Sequence, residues 1–243
     1  MMRMPGIPAR WRRGGFLVAS LVVAAATFAG SPSLAGSVHV WRVGTYRGIP
    51  GQFRTIQAAV DAARPGDWIL VAPGDYHENG SSDPELPAGV LIRTPGIHLR
   101  GLDRNSVIVD GTRPGAPTPC SSDPAFQVTG RDGVVVYKVS GTYVENLTVC
   151  NFLTDPVTGE HGNQIWWNGG DGSGKIGLGS YFGSFLTATS MFGPGLHNQH
   201  LAQYGIFVSN SRGPGLITTS YASNMADAAY YVGGCRRVCN ATL

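Results

Sequence analysis

Two adjacent tryptophans, Trp166 and Trp167, sit in HGNQIWWNGGDGSGKIGLGSYFG, residues 161–183, among glycines and small polar residues. Such a surround is not a core pattern. In an extended chain neighbouring side chains face opposite ways, so one indole is expected at the surface. An exposed indole offers a flat face to a sugar ring, and amides, carboxylates or amines beside it can bond the hydroxyls. The expected substrate-binding residues are therefore Trp166, Trp167, Asn168, Asp171 and Lys175. The plainer alternative is a loop that folds both indoles back over a core. Glu160 and Asp171 are of the type that acts as acid and base in glycoside cleavage, but the sequence assigns no catalytic residue.

The remaining reactive residues point to little chemistry. His161, His197 and His200 are too scattered for a metal site, and neither a metal nor a cofactor is expected. The segment DGSGK lacks the spacing of a phosphate loop and the Ser/Thr after its lysine. Four cysteines, Cys120, Cys150, Cys235 and Cys239, allow three pairings, and an oxidising compartment favours disulfides. Cys235 with Cys239 would close a five-residue ring, and Cys120 could meet Cys150 if its loop folds back on a neighbouring strand.

That compartment is suggested by the start of the chain. Arg3, Arg10, Arg12 and Arg13 precede an apolar run over residues 16–29, followed by Ser33-Leu34-Ala35. Residues 1–35 therefore read as a secretory signal peptide, with an uncleaved anchor as the alternative. The run is short for a membrane span, which needs roughly 20 apolar residues. Removing the four arginines takes 18 basic residues to 14 against 15 acidic, a net charge of −1 for residues 36–243. Nothing basic is left to neutralise a phosphate backbone, so nucleic acid is not expected as a partner. Glycine, at 35 of 243 residues, is about twice its usual share of roughly 7%. Such a turn-rich chain favours many short strands.

One helix stands out. Thr55 can cap it, and Ile56, Ala59, Val60 and Ala63 recur on one helical face before Pro65-Gly66 ends it. Short β-like runs follow: residues 68–72, 89–92, 96–101, 106–111, 134–141, 143–152, 204–224 and 229–234. They recur at about 20 to 26 residues, with Tyr204 and Tyr230 separated by 26, a period that suggests a solenoid of five or six irregular coils. Asn79-Gly80, Asp110-Gly111 and Asp132-Gly133 keep an antiparallel sandwich as the minority alternative. A solenoid exposes strand edges and its apolar interior at each end, and a single amphipathic helix laid over the first coil would cover them. No such helix or polar run occurs near Leu243, so either the native chain continues or a loop covers the last coil.

The stretch TIQAAVDAARPGDWILVAPGDYHE resembles the N-terminal signature of the pectin-lyase-like superfamily. GVLIRTPGIHLRGLDRNSVIVDG resembles that family's next coil, and VENLTVCNF its typical repeat, with Asn146 and Asn151 at coil corners. The resemblance extends over roughly residues 38–152, weakens over 204–234 and is absent over 153–203. It implies an all-β fold, a right-handed parallel β-helix with an N-terminal capping helix. Asp75, Tyr76 and Glu78 would serve turns and edges in the cap. The superfamily's catalytic patterns are missing: no Asp-Asp pair with Gly-His-Gly and Arg-x-Lys, no calcium-binding aspartate cluster with its arginine base, and no pectinesterase nucleophile strand. The expectation is an exported monomer, secreted or at the cell surface, that binds a polysaccharide or cell-surface glycan and could cleave it as a lyase or hydrolase. The alternative is a non-catalytic adhesion solenoid.

Overall fold

The computed structural model describes residues 37–170, 177–191, 202–233 and 241–242. Strand β1 (Val40–Val43) leads into a short antiparallel hairpin, β2 (Thr45–Tyr46) and β3 (Ile49–Pro50), and then helix α1 (Ile56–Ala62). Five coils of three strands follow. The first holds β4 (Trp68–Val71), β5 (Gly74–Tyr76) and β6 (Ala88–Ile92). The second holds β7 (His98–Gly101), β8 (Val107–Asp110) and β9 (Asp132–Tyr137). The third holds β10 (Thr142–Glu145), β11 (Thr148–Cys150) and β12 (Ile165–Asn168). The fourth holds β13 (Tyr181–Ser184), β14 (Thr187–Thr189) and β15 (Tyr204–Ser209). The fifth holds β16 (Gly215–Thr218), β17 (Tyr221–Ser223) and β18 (Ala228–Gly233), and β19 (Ala241–Thr242) joins the first sheet beyond it.

Each strand pairs in parallel with its counterpart in the next coil. The result is a seven-stranded sheet that includes β1 and β19, and two five-stranded sheets. The fold is a right-handed parallel β-helix, not an antiparallel sandwich.

The interior is built of columns, because register repeats coil after coil and side chains alternate in and out. One column runs Ile69, Leu99, Val144, Gly183, Ile217 on the first sheet. Another runs Ile92, Val136, Trp167, Val208, Val232 on the third. The corners need left-handed backbone, and Asn146 (φ 54°) and Asn151 (φ 55°) supply it. Their amides then bond across coils: Asn146 Nδ2 donates to Gly101 O at 2.8 Å, and Asn151 Nδ2 to Ser121 O at 2.8 Å.

Residues 153–203, where the sequence shows no coil, contain full rungs at β12, β13 and β14. Their interior positions carry Trp167, Tyr181 and Gly183 instead of aliphatics, which hides the repeat. The 26-residue Tyr204–Tyr230 offset is also corrected: Tyr204 pairs with Ala228 and Ile206 with Tyr230, a spacing of 24. A shift of two residues keeps the same face inward.

The N-terminal end is closed by side chains. Ile56, Ala59 and Val60 of α1 are buried in the common core with Val43, Ile69 and Ile92. Thr55 Oγ1 accepts from Ala58 N, and the buried Glu78 carboxylate accepts from Ile56 N at 2.6 Å and Gln57 N at 3.0 Å. The open edge of β6 meets the Gln57 side-chain amide, which accepts from Leu91 N at 2.7 Å and donates to Leu91 O at 3.1 Å. That amide replaces the missing next strand. Asp67, buried, accepts from His39 N, Trp41 Nε1 and Arg64 N at 2.9–3.0 Å.

Burial pushes the Asp67 carboxyl up, but the bonds from Arg64, His39 and Trp41 outweigh it and hold the group below the usual carboxylate range. Its contribution to stability is therefore present above the unfolded value of about 3.9 and is lost as pH falls through the lower folded value. Asp67→Asn should lower the unfolding free energy near neutral pH by about 1.5–3 kcal/mol. The gap from the parent should close at the acid end, which denaturant titrations at several pH values would read.

Cys120 and Cys150 form a disulfide, joining the loop after β8 to the end of β11 across 30 residues of sequence. Cys235 and Cys239 lie outside the described residues. Closing a loop of that length restrains the unfolded chain by about 3.6 kcal/mol. Cys120→Ser with Cys150→Ser should cost about that much in a denaturant titration, with far-UV dichroism of the folded state unchanged.

Candidate functional site

The outer faces of the sheets differ in how they use aromatic rings. On the first sheet Trp68, His98, Tyr143 and Phe182 form a ladder with centroid spacings of 4.1, 4.0 and 4.3 Å and planes within 13°. His98 is held below its ordinary pKa by burial, against the pull of Glu145, which suits a neutral ring between two others. In such a ladder the inner faces are covered by the next ring.

On the third sheet the outward row runs Leu91, Val135, Trp166, Phe207, Tyr231. Phe207 stacks on one side of Trp166, at 5.1 Å and 11°. On the other side the row drops to Val135, so the indole stands as a step. Its Nε1 donates to Ser209 Oγ at 3.0 Å, which fixes the ring. Facing this step is a wall, residues 81–87, held to β6 by the Ser81–Ala88 bridge and by Leu86, which packs on Leu91 and Val135.

The cleft between wall and step widens into two cavities that share Trp166, Phe207 and Glu85. One, of about 500 Å³, lies at the C-terminal ends of the strands and adds Asp83, Arg93, Tyr137 and Asn168. The other, of about 410 Å³, lies at their N-terminal ends and adds Glu160, His161, Asn163 and Tyr204. The cleft thus runs along the strands, across the stack of coils.

Polar groups beneath it are fixed from behind. Asp132, fully buried, accepts from Asn163 N and Nδ2 at 2.9 and 2.8 Å and lies 3.2 Å from His161 Nδ1. The Asp132 bond raises the His161 pKa against burial, with Glu160 and the Pro84 carbonyl adding to it. His161 thus sits between the wall at Pro84 and the floor at Asp132. Arg93 lies over the Tyr137 ring at 5.5 Å. Tyr204 donates to Asp227, which pushes its hydroxyl up to about 12.

Of the five expected binding residues, Trp166 lines both cavities and Asn168 one, its Oδ1 accepting from Gly170 N at 2.9 Å. Trp167 is wholly buried in the core column, so it is corrected from a binding residue to a packing residue. The strand's alternation sends it inward as surely as it sends Trp166 outward. Asp171 and Lys175 lie outside the described residues. Asp83, Glu85 and Asn163 were missed because their loops meet only through the coil geometry; no local pattern marks them.

A second cluster, Asp75, His77 and Asp110, brings ligand-type atoms within 4.8 Å of one another. The Asp110 carboxylate accepts from Thr112 N and Cys120 N, His77 Nδ1 bonds Thr112 O at 2.7 Å, and His77 Nε2 lies 3.2 Å from Asp75. Burial and the Asp110 charge raise the Asp75 carboxyl against the pull of His77. These groups satisfy one another and the loop that the disulfide pins.

No protein-family profile matches the sequence, and no curated protein matches it. Solved structures similar to it include a pectin methylesterase in complex with hexasaccharide VII, at 14% identity and a TM-score of 0.46, covering 80% of this chain and 53% of that one. Pectin methylesterase PemA from Erwinia chrysanthemi is similar at 14% identity and a TM-score of 0.44, covering 76% and 48%. A mutant pectin methylesterase in complex with hexasaccharide IV gives 14% and 0.43, covering 83% and 58%. The chain spans about half the length of these structures. By its own geometry the chain is a parallel β-helix protein.

The two indoles should separate in a stability assay. Trp167→Ala removes a core side chain and should cost about 3–5 kcal/mol. Trp166→Ala truncates a partly buried ring at the edge of the smaller cluster and should cost less, about 1–2 kcal/mol. Denaturant midpoints of the two variants decide it.

Proposed function

We propose that this chain is an exported polysaccharide-binding protein, secreted or held at the cell surface, and that it takes a short stretch of glycan in the cleft beside Trp166. The observation that carries this is the fixed, half-buried indole between two open cavities lined by carboxylates, amides and hydroxyls. Such lining suits a ligand with apolar ring faces and many hydroxyls. The apolar leader at residues 1–35 supports export. Cleavage needs a proton donor and acceptor on either side of the glycosidic bond, and Glu85 and Glu160 are the carboxylates that line one cavity together.

The test is a glycan array on the parent and on Trp166→Ala, with melting curves on the same samples. The variant should lose about tenfold or more in affinity, the equivalent of one stacking contact of about 1.4 kcal/mol, with its melting temperature only modestly lowered. An adhesion solenoid without a glycan site would show no array signal for either protein.

A further inference from the structure

A different kind of cavity opens on the first sheet, away from the cleft beside Trp166. It encloses about 260 Å³, with Tyr46 and Ile49 of the β2–β3 hairpin on one side and Leu70, Ala72 and Leu102 of the coils on the other. The hairpin is fixed in place. Arg47 (φ 50°) and Gly48 (φ 77°) make its two-residue turn, with left-handed backbone at both positions. Gly51 N donates to Gly44 O at 2.6 Å, and a Cβ on Gly51 would collide with Arg42 O, so the return arm lies against β1. Tyr46 and Ile49 pair across the turn and are 43% and 60% exposed. A tight turn thus holds two large apolar side chains in water, beside a cavity they do not fill.

The lining carries one cation and no anion. Arg42 is exposed, and among the described residues its guanidinium is in no ion pair or hydrogen bond; its backbone N donates to Gln52 Oε1. Arg42 stands beside Leu70 in register, and Arg100, the next in that row, is taken by Glu145 at 3.5 Å. Arg47, over the Tyr46 ring at 5.2 Å, adds positive charge at the hairpin tip. A sugar would find no carboxylate or amide side chain here for its hydroxyls. An added strand would find the edge of β1 taken, because the Gln52 side chain meets Arg42 N and Phe53 N donates to Arg42 O at 3.1 Å. A body without polar groups, ending in one negative charge, matches both the lining and the unpaired guanidinium.

We infer that this cavity binds a small apolar monocarboxylate, its body beside the hairpin and its carboxylate on Arg42. A guanidinium takes a carboxylate through two parallel N–H bonds. The volume of about 260 Å³ holds about eight or nine non-hydrogen atoms at the roughly 30 Å³ that a water molecule occupies in the liquid. The site lies on another sheet from the glycan cleft and does not rest on the glycan function.

Isothermal titration with 3-phenylpropionate, 3-phenylpropanol and 3-phenylpropylamine at neutral pH tests it. The acid should bind at least tenfold more tightly than the alcohol, and the amine more weakly than either. Arg42→Gln should bring the acid down to the level of the alcohol, and Arg42→Lys should keep part of the difference. Ile49→Ser should weaken acid and alcohol alike. Melting curves of these variants should follow the parent's, since both side chains are exposed. Equal binding of acid and alcohol, or an acid affinity that Arg42→Gln does not move, would overturn the anionic ligand. No binding of any of the three, or acid binding that Ile49→Ser leaves intact, would overturn the cavity as its site.

Discussion

A stack of coils in parallel register has one cross-section, and every coil must fill it. That constraint governs the molecule more than any single bond. A Trp in the interior column at position 167 exceeds the Val above and below it, so space must be removed elsewhere. It is removed at Gly183 in the next coil, where an added Cβ would lie 2.9 Å from the indole. Tyr181 is accommodated in the same way, its ring occupying the room beside Gly215. Interior density close to that of an organic crystal leaves no other solution. Because Trp167 is bound inward, Trp166 is bound outward, and the cleft acquires its step as a by-product of packing.

The same compensation decided what could be read from the chain. The first two coils and the first two strands of the third carry mostly Val, Ile and Leu at their inward positions, and α1 shows its apolar face openly, so both were legible. Coil four carries Tyr181, Gly183 and Ala188 inward, which no aliphatic periodicity reveals. Residues 161–183 were therefore legible as a chemical oddity but not as a rung. Of the candidate site, Trp166 and Asn168 were within reach of the sequence because they are local neighbours. Glu85 and Glu160 were not brought together by it. They stand 75 residues apart and meet only because the wall after β5 and the loop before β12 leave the same corner on different coils.

The residues that look most distinctive at the N-terminus do structural work. Thr55 and Glu78 hold the helix, Gln57 completes the edge of β6, and Tyr76 donates to Ala72 O at 2.7 Å. None of them reaches the cleft. The cleft lies instead where two irregular loops meet a regular sheet, a division in which a rigid scaffold positions variable segments.

The disulfide has a consequence in the order of disassembly. In a solenoid each repeat touches only its neighbours, so loss of structure travels as a front, coil by coil. The Cys120–Cys150 bond ties the second coil to the third. A front entering from the fifth coil crosses two coils with no such tie among the described residues and then meets one that cannot separate from its neighbour. The cleft straddles that boundary: its wall and Val135 belong to the first two coils, and Phe207 to the fourth. Peeling of the outer coils would dismantle the cleft while the covalently joined coils, and the helix over them, stay wound.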